Sequence, residues 1–240
     1  MRRQVDAQIR SGVRALLCLG SMGMAQMHIA EVREQAIRVT LDEAAGRIPV
    51  LAGCGDCRTS RTLQYVRVAE RYHPDAIVLI TPYFPKLTNE ELFDYFTSIA
   101  TATSIPIYLY DIPFYTNRPL SASLIGKLAA RNKNIVGVKA SGEFATLREC
   151  IQYFWENPNF SVLSGHSQFL DTALMMGADG IVDGLFALAP KIGVDLYDAA
   201  RRGDFDGALE AQRRPPAAKQ TTLQKSWNRP AGKSRSVNQA

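Results

Sequence analysis

The chain has 240 residues, 46% hydrophobic and 21% charged, with a formal net charge of +5, which allows one large domain with a sizeable core. No apolar run is long enough to cross a bilayer, and the basic start Met1-Arg2-Arg3 leads into no apolar signal core; this excludes a helical membrane protein and predicts a cytoplasmic one. Pro215–Ala240 carries five basic residues (Lys219, Lys225, Arg229, Lys233, Arg235) and no acid, so that of 28 basic and 23 acidic residues Met1–Arg214 holds 23 of each, and a neutral body with a basic tail argues for a disordered segment and against a nucleic-acid-binding module.

In chain order, a helix over Val5–Ser11 comes first, then a strand over Arg14–Gly20 and a helix near His28–Ala45. Strand–helix pairs follow at Pro49–Gly55 with Thr59–Tyr72, Ala76–Pro82 with Asn89–Ala102, and Pro106–Pro113 with Ser121–Arg131. Ile135–Ser141 with Phe144–Trp155 and Phe160–Gly165 with Ser167–Met176 continue the pattern. A last strand, Gly180–Phe186, precedes helices near Leu188–Arg202 and Asp204–Arg213. Short apolar strands alternating with amphipathic helices predict βα units and a parallel sheet. Seven strands with a leading helix predict a (β/α)8 TIM barrel whose first strand is missing. A doubly wound open sheet competes, but Gly20-Ser21-Met22-Gly23 lacks the glycine spacing of a dinucleotide turn. The expected organisation is an incomplete barrel domain over residues 1–214 and a disordered tail over 215–240, as in a truncated or frame-disrupted gene product. Its two unpaired strand edges would be an aggregation hazard.

Lys139 ends the otherwise uncharged run Ile135-Val136-Gly137-Val138-Lys139-Ala140-Ser141. An amine there loses hydration, and in its neutral form it can attack a carbonyl to give a Schiff base; a lysine snorkelling from a strand end is the plainer alternative. Residues alternate across a strand, so Lys139 shares a face with Gly137, which is expected to leave room for its stem. Tyr110 on the preceding strand can bring a phenol beside the amine to move protons, or it is a buried tyrosine with a satisfied hydroxyl. Gly20-Ser21-Met22-Gly23 offers backbone N–H groups and a hydroxyl suited to a carboxylate, or is an ordinary turn. His166 and Asp183 lie on the same predicted rim, at the carboxyl ends of strands where barrel chemistry is found. Cys54 and Cys57 form a C-x-x-C that admits a thiol oxidoreductase as a further alternative, and the three histidines are too few for a zinc site.

Gly20-Ser21-Met22-Gly23, Thr81-Pro82-Tyr83-Phe84, Tyr110-Asp111-Ile112-Pro113, Val136-Gly137-Val138-Lys139, Leu163-Ser164-Gly165 and Gly177-Ala178-Asp179-Gly180 occur in that order. Together they resemble the dihydrodipicolinate synthase / N-acetylneuraminate lyase family of class I pyruvate-dependent aldolases, over roughly Val5 to Gln212. The resemblance implies a (β/α)8 barrel, a homo-oligomer that is usually a tetramer, and no metal or organic cofactor. It implies Lys139 as the Schiff-base lysine and Tyr110 as the proton relay. Ser21 and the Met22 backbone would bind the carboxylate of pyruvate or another 2-oxo acid. Asp183 is read as a further substrate contact, and His166 as a contact to the far end of a polar substrate or as a plain rim histidine. The partner would be an aldehyde or sugar acid.

Departures accompany the resemblance. Met22 stands where the family has a second hydroxyl residue, and Met24 where it has a glutamate. Phe84 replaces a tyrosine of the synthase branch, Tyr115 its arginine, Asp111 an asparagine and His166 an acid. These argue against dihydrodipicolinate synthase itself. An inactive barrel remnant is the principal alternative.

Overall fold

The computed structural model describes residues 1–213; the expected disordered tail, 215–240, lies outside them. Seven strands form one parallel sheet in sequence order: β1 (Leu16–Cys18), β2 (Val50–Gly53), β3 (Ala76–Ile80), β4 (Ile107–Asp111), β5 (Ile135–Ala140), β6 (Ser161–Ser164) and β7 (Gly180–Ile181). Helices α1 (Arg2–Arg10), α2 (Ala30–Ala44), α3 (Thr59–Glu70), α4 (Asn89–Ala100), α5 (Pro113–Thr116), α6 (Ala122–Arg131), α7 (Phe144–Phe154), α8 (Leu170–Met175), α9 (Pro190–Arg201) and α10 (Phe205–Arg213) connect or follow them.

The alternation of side chains divides the core into two layers. Ile77, Leu79, Ile107, Leu109 and Val138 point outward into a cluster shared with the helices. Leu17, Leu51, Val78, Ile80, Tyr108 and Tyr110 form a separate inner cluster, as the interior of a curled parallel sheet requires. A third, smaller cluster (Leu170, Leu174, Leu196, Ala211) binds α8, α9 and α10 together. Local signals fix the helix starts. Thr88 and Glu91 make a reciprocal capping box on α4, the Ser121 hydroxyl accepts from Leu124 N–H at the start of α6, and Pro113 and Pro190 begin α5 and α9.

The structure corrects several expected boundaries. The last strand is two residues long, because Gly184–Ala187 leaves the sheet as a 3-10 turn capped by Asp183. The helix expected from His28 begins at Ala30, after two 3-10 turns at Ser21–Gly23 and Ala25–Met27. The end of the fourth predicted strand is the short helix α5, since Pro113 cannot donate to a sheet ladder.

Among the described residues β1 pairs only with β2, and β7 only with β6. Their outer edges face a common cavity of about 950 Å³, lined from both strands and from α1, α2 and α9. α1 spans this gap on the outside. Arg2 meets Asp42 and Glu43 on the α2 side, while the Gln8 side-chain amide donates to the carbonyls of Phe186 and Ala187, at 3.0 Å each, beyond β7. No helix among the described residues is long and apolar enough to cross a membrane.

Candidate active site

Parallel register sets Tyr110 of β4 directly beside Lys139 of β5. Lys139 is only 8% exposed and Tyr110 4%. The lysine Nζ lies 4.2 Å from the centroid of the Tyr110 ring, close enough for a cation–π contact when the amine is protonated. No carboxylate among the described residues forms an ion pair with Lys139. The Tyr110 hydroxyl in turn shares a 3.0 Å hydrogen bond with Ser21 Oγ. Amine, phenol and serine hydroxyl thus form one line across β5, β4 and the loop after β1.

That loop reaches Tyr110 through an abrupt turn. Leu19 holds a left-handed backbone (φ 59°) immediately before Gly20, an uncommon conformation for a residue with a branched side chain. The chain then winds into the Ser21–Gly23 turn, whose leading N–H groups have no partner within the turn. Met22 lies against Gly184, so the loops after β1 and β7 touch at the rim.

One expectation about Lys139 is overturned. Gly137 does not make room for the lysine stem; a Cβ there would strike the Tyr108 ring. The room comes from Gly165, just past β6. A Cβ at Gly165 would lie 2.7 Å from Lys139 Cε and would collide with Ser141 Oγ. Gly165 is two residues beyond Leu163, the register partner of Lys139, and therefore on the same face. That spacing was the available signal, but it needed the pairing of β5 with β6. Replacing Gly165 with alanine is expected to lower kcat/KM about 10²-fold, because displacements near 1 Å at a reacting group cost that much. Unchanged steady-state kinetics in the folded variant would refute the role.

Ser21, Met22, Lys139 and Asp183 all line the 950 Å³ cavity, together with Tyr108. Asp183 is already engaged locally, its carboxylate accepting from Leu185 N–H at 2.8 Å. His166 is not part of this lining. It stacks on Phe169 with centroids 4.2 Å apart, and its Nδ1 is buried with no hydrogen-bond partner. Phe84, at 90% exposure on the loop after β3, and Phe114, at 82% on α5, project into solvent.

Asp111 faces away from the barrel interior. One carboxylate oxygen accepts from Leu120 N–H at 2.9 Å and the other is buried without a partner. Burial raises its pKa to about 6. The folded chain therefore holds this proton more tightly than the unfolded chain, in which an aspartate titrates near 3.9. The resulting stability is present below about pH 4 and lost as pH rises through 6, a difference on the order of 3 kcal/mol. Chemical denaturation of Asp111→Asn should show a stability curve flatter than the parent's by about that amount between pH 4 and 7. Parallel curves would contradict it.

Within the C-x-x-C, Cys54 does not present a reactive thiol, whereas Cys57 is half-buried. Cys54 is fully buried, and desolvation pushes its pKa up to about 12; a nucleophilic cysteine needs the reverse.

The model of the dihydrodipicolinate synthetase family matches residues 1–228. The chain belongs to the dihydrodipicolinate synthetase family. A 4-hydroxy-tetrahydrodipicolinate synthase from Methanospirillum hungatei is 33% identical over 212 residues, covering 88% of this chain and 72% of the relative. The putative 2-dehydro-3-deoxy-D-gluconate aldolase YagE of Escherichia coli K12 is 34% identical over 202 residues, covering 83% of this chain and 67% of its own. The crystal structure of YagE in complex with pyruvate superposes with a TM-score of 0.85 at 32% identity, covering 88% of this chain and 72% of that one. Members named as synthases and as aldolases are thus about equally similar to this chain, which is an enzyme-family domain of the lyase and aldolase type.

Proposed function

We propose that the chain is a Schiff-base-forming lyase acting on pyruvate or a related 2-oxo acid. The observation that carries this reading is the buried Lys139 amine over the Tyr110 ring, with the Tyr110 hydroxyl bonded to Ser21. The neutral amine attacks the C2 carbonyl, and the carbonyl oxygen leaves as water once protonated. Tyr110 moves the protons on and off that oxygen, with Ser21 as the next hydroxyl in line. The Ser21 hydroxyl and the Met22 N–H receive the substrate carboxylate. As Tyr110, left as phenolate after the first proton transfer, takes the proton of the C4 hydroxyl, the resulting iminium accepts the electron pair of the breaking C3–C4 bond, releasing an aldehyde and leaving an enamine; reversal makes the bond. Loss of a C3 proton from the same iminium, followed by departure of the β-hydroxyl as water, gives a dehydration. Because the iminium is itself the electron sink, the chemistry calls for no metal or organic cofactor.

Phe84 has no phenolic hydroxyl, and Tyr115 stands where the synthase branch carries arginine. We therefore favour an aldehyde or sugar-acid partner over the dihydrodipicolinate reaction, with Asp183 on the cavity wall as its contact. The exposed Phe84 and Phe114 side chains favour a homo-oligomer, such as a tetramer, and the reading includes a cytoplasmic location. The sheet is read as part of an eight-stranded barrel. The second reading is an inactive barrel remnant.

Incubation with pyruvate and borohydride, followed by peptide mass spectrometry, separates the two readings. The active enzyme gains a reduced pyruvyl adduct on the Lys139 peptide. A folded chain with no adduct there is the remnant.

A further inference from the structure

We propose that Tyr108 is a positioning residue for Lys139: its ring clamps a β-bulge at Val136, and that bulge sets the register that puts the amine beside Tyr110 on the inner face of the sheet. The effect on rate rests on the Schiff-base reading; the clamp itself does not. Ile107 of β4 pairs with Ile135 of β5, yet the next residue, Tyr108, pairs with Gly137. Two steps of β5 therefore oppose one step of β4, and Val136 is the extra residue. An inserted residue of this kind bends its strand and re-aims the side chains beyond it.

The extra residue decides which face each β5 side chain takes. Ile135 and Val138 both pack in the helix-side cluster, although an unbroken strand returns to one face only at every second residue. Without the bulge, the pairing of Ile107 with Ile135 would continue to Tyr110 with Val138 and Asp111 with Lys139. The lysine would then lie across from the buried Asp111 on the helix side, because a one-residue slip moves every side chain to the other face. With the bulge, Tyr110 pairs with Lys139, and the amine lies 4.2 Å from the centroid of its ring.

Tyr108 holds the bulge at the first residue paired beyond it. A Cβ on Gly137 would collide with Cε1 and Cδ1 of the Tyr108 ring and would lie 2.7 Å from the Ser161 carbonyl oxygen. Gly137 is thus pinched between a ring on β4 and the backbone of β6. The ring edge makes this contact, not the hydroxyl. Tyr108 is itself packed against the inner cluster of Val78, Tyr110 and Ile112, so the clamp and the catalytic phenol share one support. All three strands involved, β4, β5 and β6, are paired on both sides.

The test compares the full chain with Tyr108→Phe, which keeps the ring, and Tyr108→Leu, which keeps apolar bulk without it. Two readouts are taken on folded protein: the rate of pyruvate adduct formation at Lys139, trapped with borohydride, and amide hydrogen exchange over Ile135–Ala140 relative to Ala76–Ile80. Tyr108→Leu should slow adduct formation by about 10²-fold and speed β5 exchange at least about tenfold relative to β3. Tyr108→Phe should stay within about twofold of the parent in both. A side chain that only fills the core would leave the adduct rate of folded Tyr108→Leu unchanged. That result, or an unchanged exchange ratio, overturns the proposal, as does an equal loss in Tyr108→Phe. If the parent itself traps no pyruvate, the Schiff-base reading fails and the exchange ratio alone judges the clamp. Should Tyr108→Leu not fold, Tyr108→Met is judged by the same two measurements.

Discussion

Replacing Lys139 with alanine is expected to eliminate the borohydride-trapped pyruvate adduct and to lower kcat/KM by on the order of 10⁴-fold or more, as loss of a covalent nucleophile does. The reason is specific to this amine. It is buried at the end of β5, without an ion-pair partner among the described residues, and it faces the Tyr110 ring. Lys139→Arg supplies the structural control. Arginine keeps the length and charge of the side chain, but its guanidinium stays protonated and does not condense with a ketone. Both variants should fold, and both should fail to trap pyruvate. Retention of the adduct on another peptide, at the parental rate, would remove Lys139 from the mechanism.

The second large effect is expected at Tyr110. Tyr110→Phe should lower kcat by about 10²- to 10³-fold, within the range for a positioned acid–base group. The ring that faces Lys139 remains in this variant, and only the hydroxyl bonded to Ser21 is lost. Rapid-quench measurement of adduct formation is the informative readout, because carbinolamine dehydration needs the relayed proton. A tyrosine that is merely a buried residue with a satisfied hydroxyl predicts something different. Its loss would cost about 1 kcal/mol of stability, typical of one hydrogen bond, and leave the adduct rate intact. Ser21→Ala, which removes the partner hydroxyl, should fall between the parent and Tyr110→Phe in rate and also raise KM for the 2-oxo acid.

Much of the architecture could be read without coordinates, for a local reason. Each βα unit announces itself through a short apolar run followed by a 3.6-residue period, and these depend only on near neighbours in the chain. The juxtaposition of Tyr110 and Lys139 was also legible, since consecutive strands of such a sheet pair and side chains alternate. Strand ends were less legible. β7 stops after Ile181, although the apolar residues continue to Phe186, because Asp183 caps a 3-10 turn where a strand was expected. Periodicity cannot distinguish those outcomes over so few residues.

The sequence by itself determined the order of strands and helices, the face on which Lys139 and Tyr110 lie, and the family to which the motifs point. Tertiary structure alone decided which glycine admits the lysine: Gly137 yields its space to Tyr108 and Gly165 to Lys139. It alone placed Ser21 on the Tyr110 hydroxyl, sealed Cys54 in the core and left one oxygen of Asp111 unpartnered. These outcomes arise from register and close packing between segments tens of residues apart, and steric exclusion at such distances leaves no periodic trace in the chain.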